Sequence, residues 1–149
     1  SEIKGEVQSA HVKQICLDSN FDMYVILSVL NSSLFNWYFV LCSNCRDFTE
    51  RELYNFSFSY ETKDENVQRL FELGKILNKS IKINAFRKQC NYKATGKVIY
   101  DEYYPKLSKS IIDEIDKILA KHYGFTDEEL DFIINYDIKY RMGDKLNEK

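Results

Sequence analysis

The stretch SKSIIDEIDKILAKHYGFTDEEL, residues 108–130, decides the fold class. Ile111, Ile112, Ile115, Ile118 and Leu119 recur at spacings of three and four, which lays one apolar stripe along a helix. Asp113, Glu114 and Asp116 read as the solvent side of that helix. Ser108 or Ser110 is placed to cap its start. Gly124 is placed to end it, because glycine takes the left-handed conformation at little steric cost. Thr126, Asp127, Glu128 and Glu129 then have the form of a capping box, with three carboxylates at the positive end of the next helix dipole. Leu130, Ile133, Ile134, Tyr136 and Ile138 carry this second helix toward Tyr140, and residues 144–149 form a polar tail. The C-terminal part is therefore a helical hairpin.

Working toward the N-terminus, a long amphipathic helix is expected to start near Asp64. Val67, Leu70, Phe71, Leu77 and Ile81 form its stripe, with Lys75, Lys79 and Lys82 largely off it. Gly74 lies within the stripe, where a missing side chain allows close packing. Residues 23–42 are apolar on most sides and read as one buried helix. Asn31, Ser32 and Ser33 interrupt it and predict a kink or a tight contact with another backbone. Thr49 and Glu52 form another capping box, opening a short helix through about Tyr54. Short strands are expected at residues 12–17 and 56–58. A small hairpin is expected across Thr95 and Gly96, with Val98, Ile99 and Tyr100 in one strand. The fold class is α+β and predominantly helical, with small strands packed on a long buried helix, followed by the helical hairpin. Residues 59–66 mark the expected boundary between a segment 1–62 and a helical subdomain 63–149 carrying a basic helix.

Of the 149 residues, 44% are hydrophobic, which suffices for a packed core and excludes wholesale disorder. One proline and five glycines argue against a turn-rich sandwich. No apolar run approaches the roughly 18 residues of a membrane span, and no signal peptide opens the chain, so a cytoplasmic location is expected. The chain starts at Ser1 without a methionine and is expected to be a piece of something longer. The formal net charge is −2, but it is unevenly spread: residues 1–68 carry −5, residues 69–97 carry +7 and residues 98–149 carry −4. Clustered cations of this kind suit phosphate contacts, although a solvated lysine-rich helix face has the same composition.

Cys16, Cys42, Cys45 and Cys90 are expected to be reduced, and buried structural thiols are favoured over a zinc site. Cys42 and Cys45 form a C-x-x-C without a second pair, and His11 and His122 lie far from each other in the chain. No phosphate-binding glycine loop, nucleophile elbow or zinc-protease motif occurs. His122 ends a helix, where a structural role suits it best.

Two stretches carry a family resemblance. In ILSVLNSSLFNWYFVLCSNCRDFTERELYNFSF, residues 26–58, the segment Leu30 to Phe35, the pair Trp37 and Tyr38, the loop Ser43 to Asp47, and Asn55 with Phe56 resemble the target-recognition region of adenine-specific DNA methyltransferases of type II restriction–modification systems, the TaqI-like specificity region. Ser57 stands where that pattern commonly has proline. TGKVIYDEYYPKLSKSIIDEIDKILAKHYGFTDEELDFIINYDIKYRMG, residues 95–143, resembles the C-terminus of fused restriction–modification enzymes of that class.

The resemblance implies a C-terminal DNA-recognition fragment, its parent a methyltransferase or a methyltransferase fused to a nuclease. The Asn-Pro-Pro-Tyr motif is absent, so the fragment itself is expected to be no enzyme and to hold neither cofactor nor metal; S-adenosylmethionine is implied for the parent alone. The implied partners are double-stranded DNA and the upstream methyltransferase domain of the same chain, without a membrane. An alternative is a protein-interaction module packing on the catalytic domain without touching DNA. In the DNA reading, Ser43, Asn44, Arg46 and Asp47 form the base-reading turn; the same loop also reads as a helix-capping connection whose Asn and Asp satisfy backbone amides. Arg46 forks onto guanine, Asn44 pairs with adenine, and Asp47 accepts from cytosine or orients Arg46. Arg87, Lys88, Lys93 and Lys97 are the expected phosphate contacts. That site requires the turn and the basic segment to share one side of the molecule. Independently of function, Thr126→Ala is expected to cost about 1 kcal/mol of stability by urea unfolding, through loss of the cap.

Overall fold

A computed structural model describes residues 15–46, 48–94 and 96–136. Among them the chain forms α1 (Asn20–Leu30), α2 (Ser33–Cys42), α3 (Glu50–Asn55), α4 (Glu65–Ile83), β1 (Phe86–Tyr92), β2 (Gly96–Glu102), a 3-10 turn (Pro105–Ser108), α5 (Lys109–Tyr123) and α6 (Asp127–Ile134). The fold is predominantly helical α+β. Its core joins Val29 and Leu34 to Leu70, Leu73, Leu77, Ile112, Ile115, Leu119 and Ile133, so both sides of residues 59–66 contribute to one apolar cluster.

Helix α4 starts beside Asp64 as expected, and Asp64 caps it, accepting from the Asn66 amide at 2.7 Å. Gly74 is the point where α1 and α4 cross. A Cβ built there would lie 2.2 Å from Tyr24 O and 2.7 Å from Ser28 Oγ, a clash that only glycine avoids. Ser28 Oγ donates to Leu70 O at 2.8 Å, with Tyr24 O also within 3.0 Å, so a fully buried hydroxyl is satisfied by both backbones. Phe21 stacks on Phe71 beside the crossing, with centroids 4.8 Å apart.

The apolar stretch 23–42 is two helices rather than one, bent by 65°. The break is polar for a reason. Ser32 is extended and caps α2, its Oγ accepting from the Phe35 amide at 3.0 Å and donating to Val29 O at 2.6 Å. The next amide, that of Ser33, donates to Asp116 Oδ1 at 2.8 Å. Asp116 is therefore not on the solvent side of α5: it is 1% exposed and faces the positive end of α2. Glu114 and Asp113 do lie at the surface, paired with Arg69 and Lys109. Among the described residues no single helix is long and apolar enough to cross a membrane.

The hairpin α5–α6 forms as its spacing predicts. Gly124 has φ 72°, and the Glu129 amide donates to Thr126 Oγ1 while the Thr126 amide donates to Glu129. Ser108 occupies the cap position of α5 without a capping bond; it hydrogen-bonds Ser80 Oγ at 2.8 Å instead, fastening the start of α5 to the end of α4. Two expected strands differ. Ile15, Cys16 and Leu17 have no regular structure, and residues 12–14 lie outside the described residues. Residues 56–58 form no strand, because Phe56 packs with Phe35, Tyr38 and Tyr123, and Phe58 with His122. The continuation of α6 toward Tyr140 and the polar tail fall largely outside the described residues.

Gly74→Ala is expected to cost about 3 kcal/mol, read as a lower urea midpoint, because the helices must separate to admit a methyl group. Asp116→Ala, which orphans the Ser33 amide, is expected to cost about 1–3 kcal/mol. Asp116→Asn behaves differently. Burial pushes the Asp116 carboxyl above its ordinary 3.8, against the opposing pull of Ser33. The stability its protonated form contributes is present below 3.8 and is lost as pH rises through the raised value. An amide at this position keeps the acceptor and has no such loss. The variant should match the parent in acid and exceed it toward neutral pH; a deficit at neutral pH would contradict this placement.

Candidate nucleic-acid interface

Strands β1 and β2 form a two-stranded antiparallel ribbon. The register is fixed by the turn: Tyr92 pairs with Gly96, which adopts φ 73°, and counting outward sets Arg87 opposite Asp101 and Phe86 opposite Glu102. Side chains alternate across the ribbon. One face carries Phe86, Lys88, Cys90 and Tyr92 with Val98, Tyr100 and Glu102. The other carries Arg87, Gln89 and Asn91 with Lys97, Ile99 and Asp101, all of them exposed. The base of the ribbon is held by Phe86 on the Tyr104 ring, centroids 5.6 Å apart.

Charge is sorted along the ribbon. At its base Arg87 Nε and Nη2 donate to the two oxygens of Asp101 at 2.9 and 3.1 Å, and Lys88 pairs with Glu102 at 2.5 Å. Arg87 holds the Asp101 carboxyl below its ordinary value, and Lys88, then Tyr104, do the same for Glu102. From Gln89 to Tyr100 there is no acidic residue, while Lys93 and Lys97 are exposed. This modifies the surplus counted along the sequence. Arg69 pairs with Glu114, Lys75 with Glu72, and Arg87 and Lys88 with β2, so half of the eight cations in residues 69–97 sit in ion pairs. For Lys79, Lys82, Lys93 and Lys97 there is no ion pair among the described residues.

The expected base-reading turn lies elsewhere. Ser43 Oγ accepts from the Cys45 amide and Asn44 Oδ1 from the Arg46 amide, both at 2.9 Å. These are side-chain turns of the kind that close a helix end. They occupy the Asn44 oxygen that a two-point contact with adenine needs. Arg46 is exposed; Asp47 lies outside the described residues. Phe48 packs on Phe35 and Phe39, and Phe56 ties the same cluster to Tyr123, at the C-terminal end of α5. The ribbon joins the other end of α5, through the 3-10 turn and the Ser80–Ser108 contact. About 22 Å of helix separates the two anchors. Ser43, Asn44 and Arg46 thus neighbour the aromatic cluster at the C-terminal end of α5, and Arg87, Lys88, Lys93 and Lys97 belong to the ribbon that joins its other end.

The cysteines also differ from expectation: Cys16, Cys42 and Cys45 are exposed and only Cys90 is half-buried, with all four thiols free. No group of three or more metal-ligating side chains occurs among the described residues. His122 packs between Phe58 and Tyr123, centroids 5.1 Å from each. Near α3, Thr49 and Arg51 hold Glu52 down to about 2, consistent with its role inside the capping box.

Gln89 and Asn91 escape a reading by motif, since single amides carry no signature. Counting outward from Gly96 is the available signal, because it places both amides beside Lys97 on one face. Comparison with protein-family models, curated proteins and solved structures gives no match for this chain.

Proposed function

We propose that this chain recognises duplex DNA, and that it does so through the β1–β2 ribbon rather than through the turn at residues 43–46. The observation that carries the reading is the charge sorting of the ribbon. Its carboxylates are confined to the base, where Arg87 and Lys88 neutralise them, and the projecting part presents Lys93 and Lys97 to solvent without any acid. A two-stranded ribbon is narrow enough to enter the major groove, about 12 Å wide. An isolated hairpin with both faces largely exposed gains little from its own packing, so a partner that covers it accounts for its projection. The resemblance of residues 26–58 and 95–143 supports placing the chain as the recognition piece of a cytoplasmic adenine-specific DNA methyltransferase of a type II restriction–modification system. Catalysis and S-adenosylmethionine binding then belong to the upstream domain.

A second reading has its own observation. Trp37, Phe125, Phe132 and Ile133 line an apolar hollow of about 390 Å³ beside Glu128 and Glu129, and the buried Trp37 Nε1 has no hydrogen-bond partner among the described residues. That surface suits packing against the upstream domain, and the two readings are compatible because they use different surfaces.

The test is fluorescence anisotropy of a labelled random duplex titrated across salt. Lys93→Ala with Lys97→Ala should weaken binding and reduce the slope of log affinity against log salt by about 2. An unchanged slope would remove the ribbon tip from the interface. Absence of duplex binding by the chain, beside binding by the full-length enzyme, would favour the packing reading.

A further inference from the structure

Resting on that duplex-DNA reading, we infer that the Arg87, Gln89, Asn91 and Lys97 face of the ribbon is the base-reading surface, with Gln89 and Asn91 as its adenine readers. Alternate residues of β1 put Arg87, Gln89 and Asn91 in one row, with Lys97 opposite Asn91 and Asp101 opposite Arg87. Neighbours in that row are about 6.8 Å apart, two base steps at roughly 3.4 Å each. From Arg87 to Asn91 the row therefore keeps step with stacked bases over about four base steps.

The chemistry of the row suits base edges. Gln89 and Asn91 are exposed, and neither side chain makes a hydrogen bond among the described residues. Each amide thus offers the donor and acceptor that match the N6 and N7 edge of adenine. Asn44 differs, since its oxygen already accepts from Arg46. Arg87 is held flat by its two-point contact with Asp101, which fixes the guanidinium at the end of the row. Lys97 and Lys93 supply the charge complementarity to phosphates on either side of the inserted tip. The opposite face mixes Phe86, Tyr92, Val98 and Tyr100 with the ion-paired Lys88 and Glu102 and offers no comparable row of amides.

The experiment selects preferred sites from a duplex library with a randomised centre, using the 149-residue chain. The expected result is a consensus containing adenine. Gln89→Ala and Asn91→Ala should each relax one position of it by about 5- to 150-fold, leaving affinity for a non-cognate duplex within about twofold. Gln89→Glu should move the preference at its position from adenine toward cytosine, whose N4 donates. Arg46→Ala should leave the consensus unaltered. Unchanged far-UV spectra of these surface variants would show that folding is intact. Duplex binding without a consensus, or a consensus indifferent to Gln89 and Asn91, would overturn this inference and leave the broader DNA reading standing. Equal affinity for duplex RNA or single strands would overturn it as well. Failure of the parent chain to bind any duplex at low salt would instead remove the DNA reading, and this inference with it.

Discussion

Helices α1 and α4 touch backbone to backbone at Gly74, and the rest of the molecule is arranged around that contact. With no side chain there, the Tyr24 carbonyl approaches closely enough that a methyl group could not be interposed. Ser28 uses the proximity to donate into α4 at Leu70, so the crossing is apolar in its surroundings and fully satisfied at its centre. Because α4 is fixed against α1, its far end is fixed too. There Ser80 meets Ser108 and sets the start of α5, and the ribbon leaves from the same end. A packing constraint in the core thus determines where the charged ribbon projects.

Asp116 supplies the second constraint, and it illustrates how a buried carboxylate can serve a fold. The α2 N-terminus has amides to satisfy in an apolar setting, and an acceptor from α5 meets one of them. Burial disfavours the ionised carboxyl, while the helix amides favour it; the first effect prevails. In return, α2 is oriented so that Trp37 faces α6 and Phe35 and Tyr38 face the aromatic cluster around Phe56. The turn at residues 43–46 then follows from the end of α2.

Local rules made much of this legible. Both capping boxes, the start of α4 near Asp64, the left-handed Gly124 and the close approach at Gly74 depend on residues within a few positions of each other or on one missing side chain. What was illegible depends on partners distant in sequence. Asp116 sits among charged neighbours on α5, and only the arrival of the α2 N-terminus distinguishes it from Asp113 and Glu114. The same holds for the cationic segment, whose Arg87 and Lys88 are neutralised by residues beyond Gly96 that a tally along the chain assigns to another block. Ser43 and Asn44 are a local case with two readings, since the same groups can read bases or satisfy amides two positions on, and here they do the latter. The exposed amides of Gln89 and Asn91 became notable only once the strand register placed them side by side.

The central claim is that the projecting ribbon, and not the turn after α2, meets duplex DNA. Amide chemical shifts of the isotope-labelled chain, followed while duplex is added, address it residue by residue. The account predicts perturbations concentrated between Arg87 and Ile99, with those of residues 43–46 unmoved. Perturbations centred on residues 43–46 or around Trp37 and Phe132, with the ribbon silent, would contradict it.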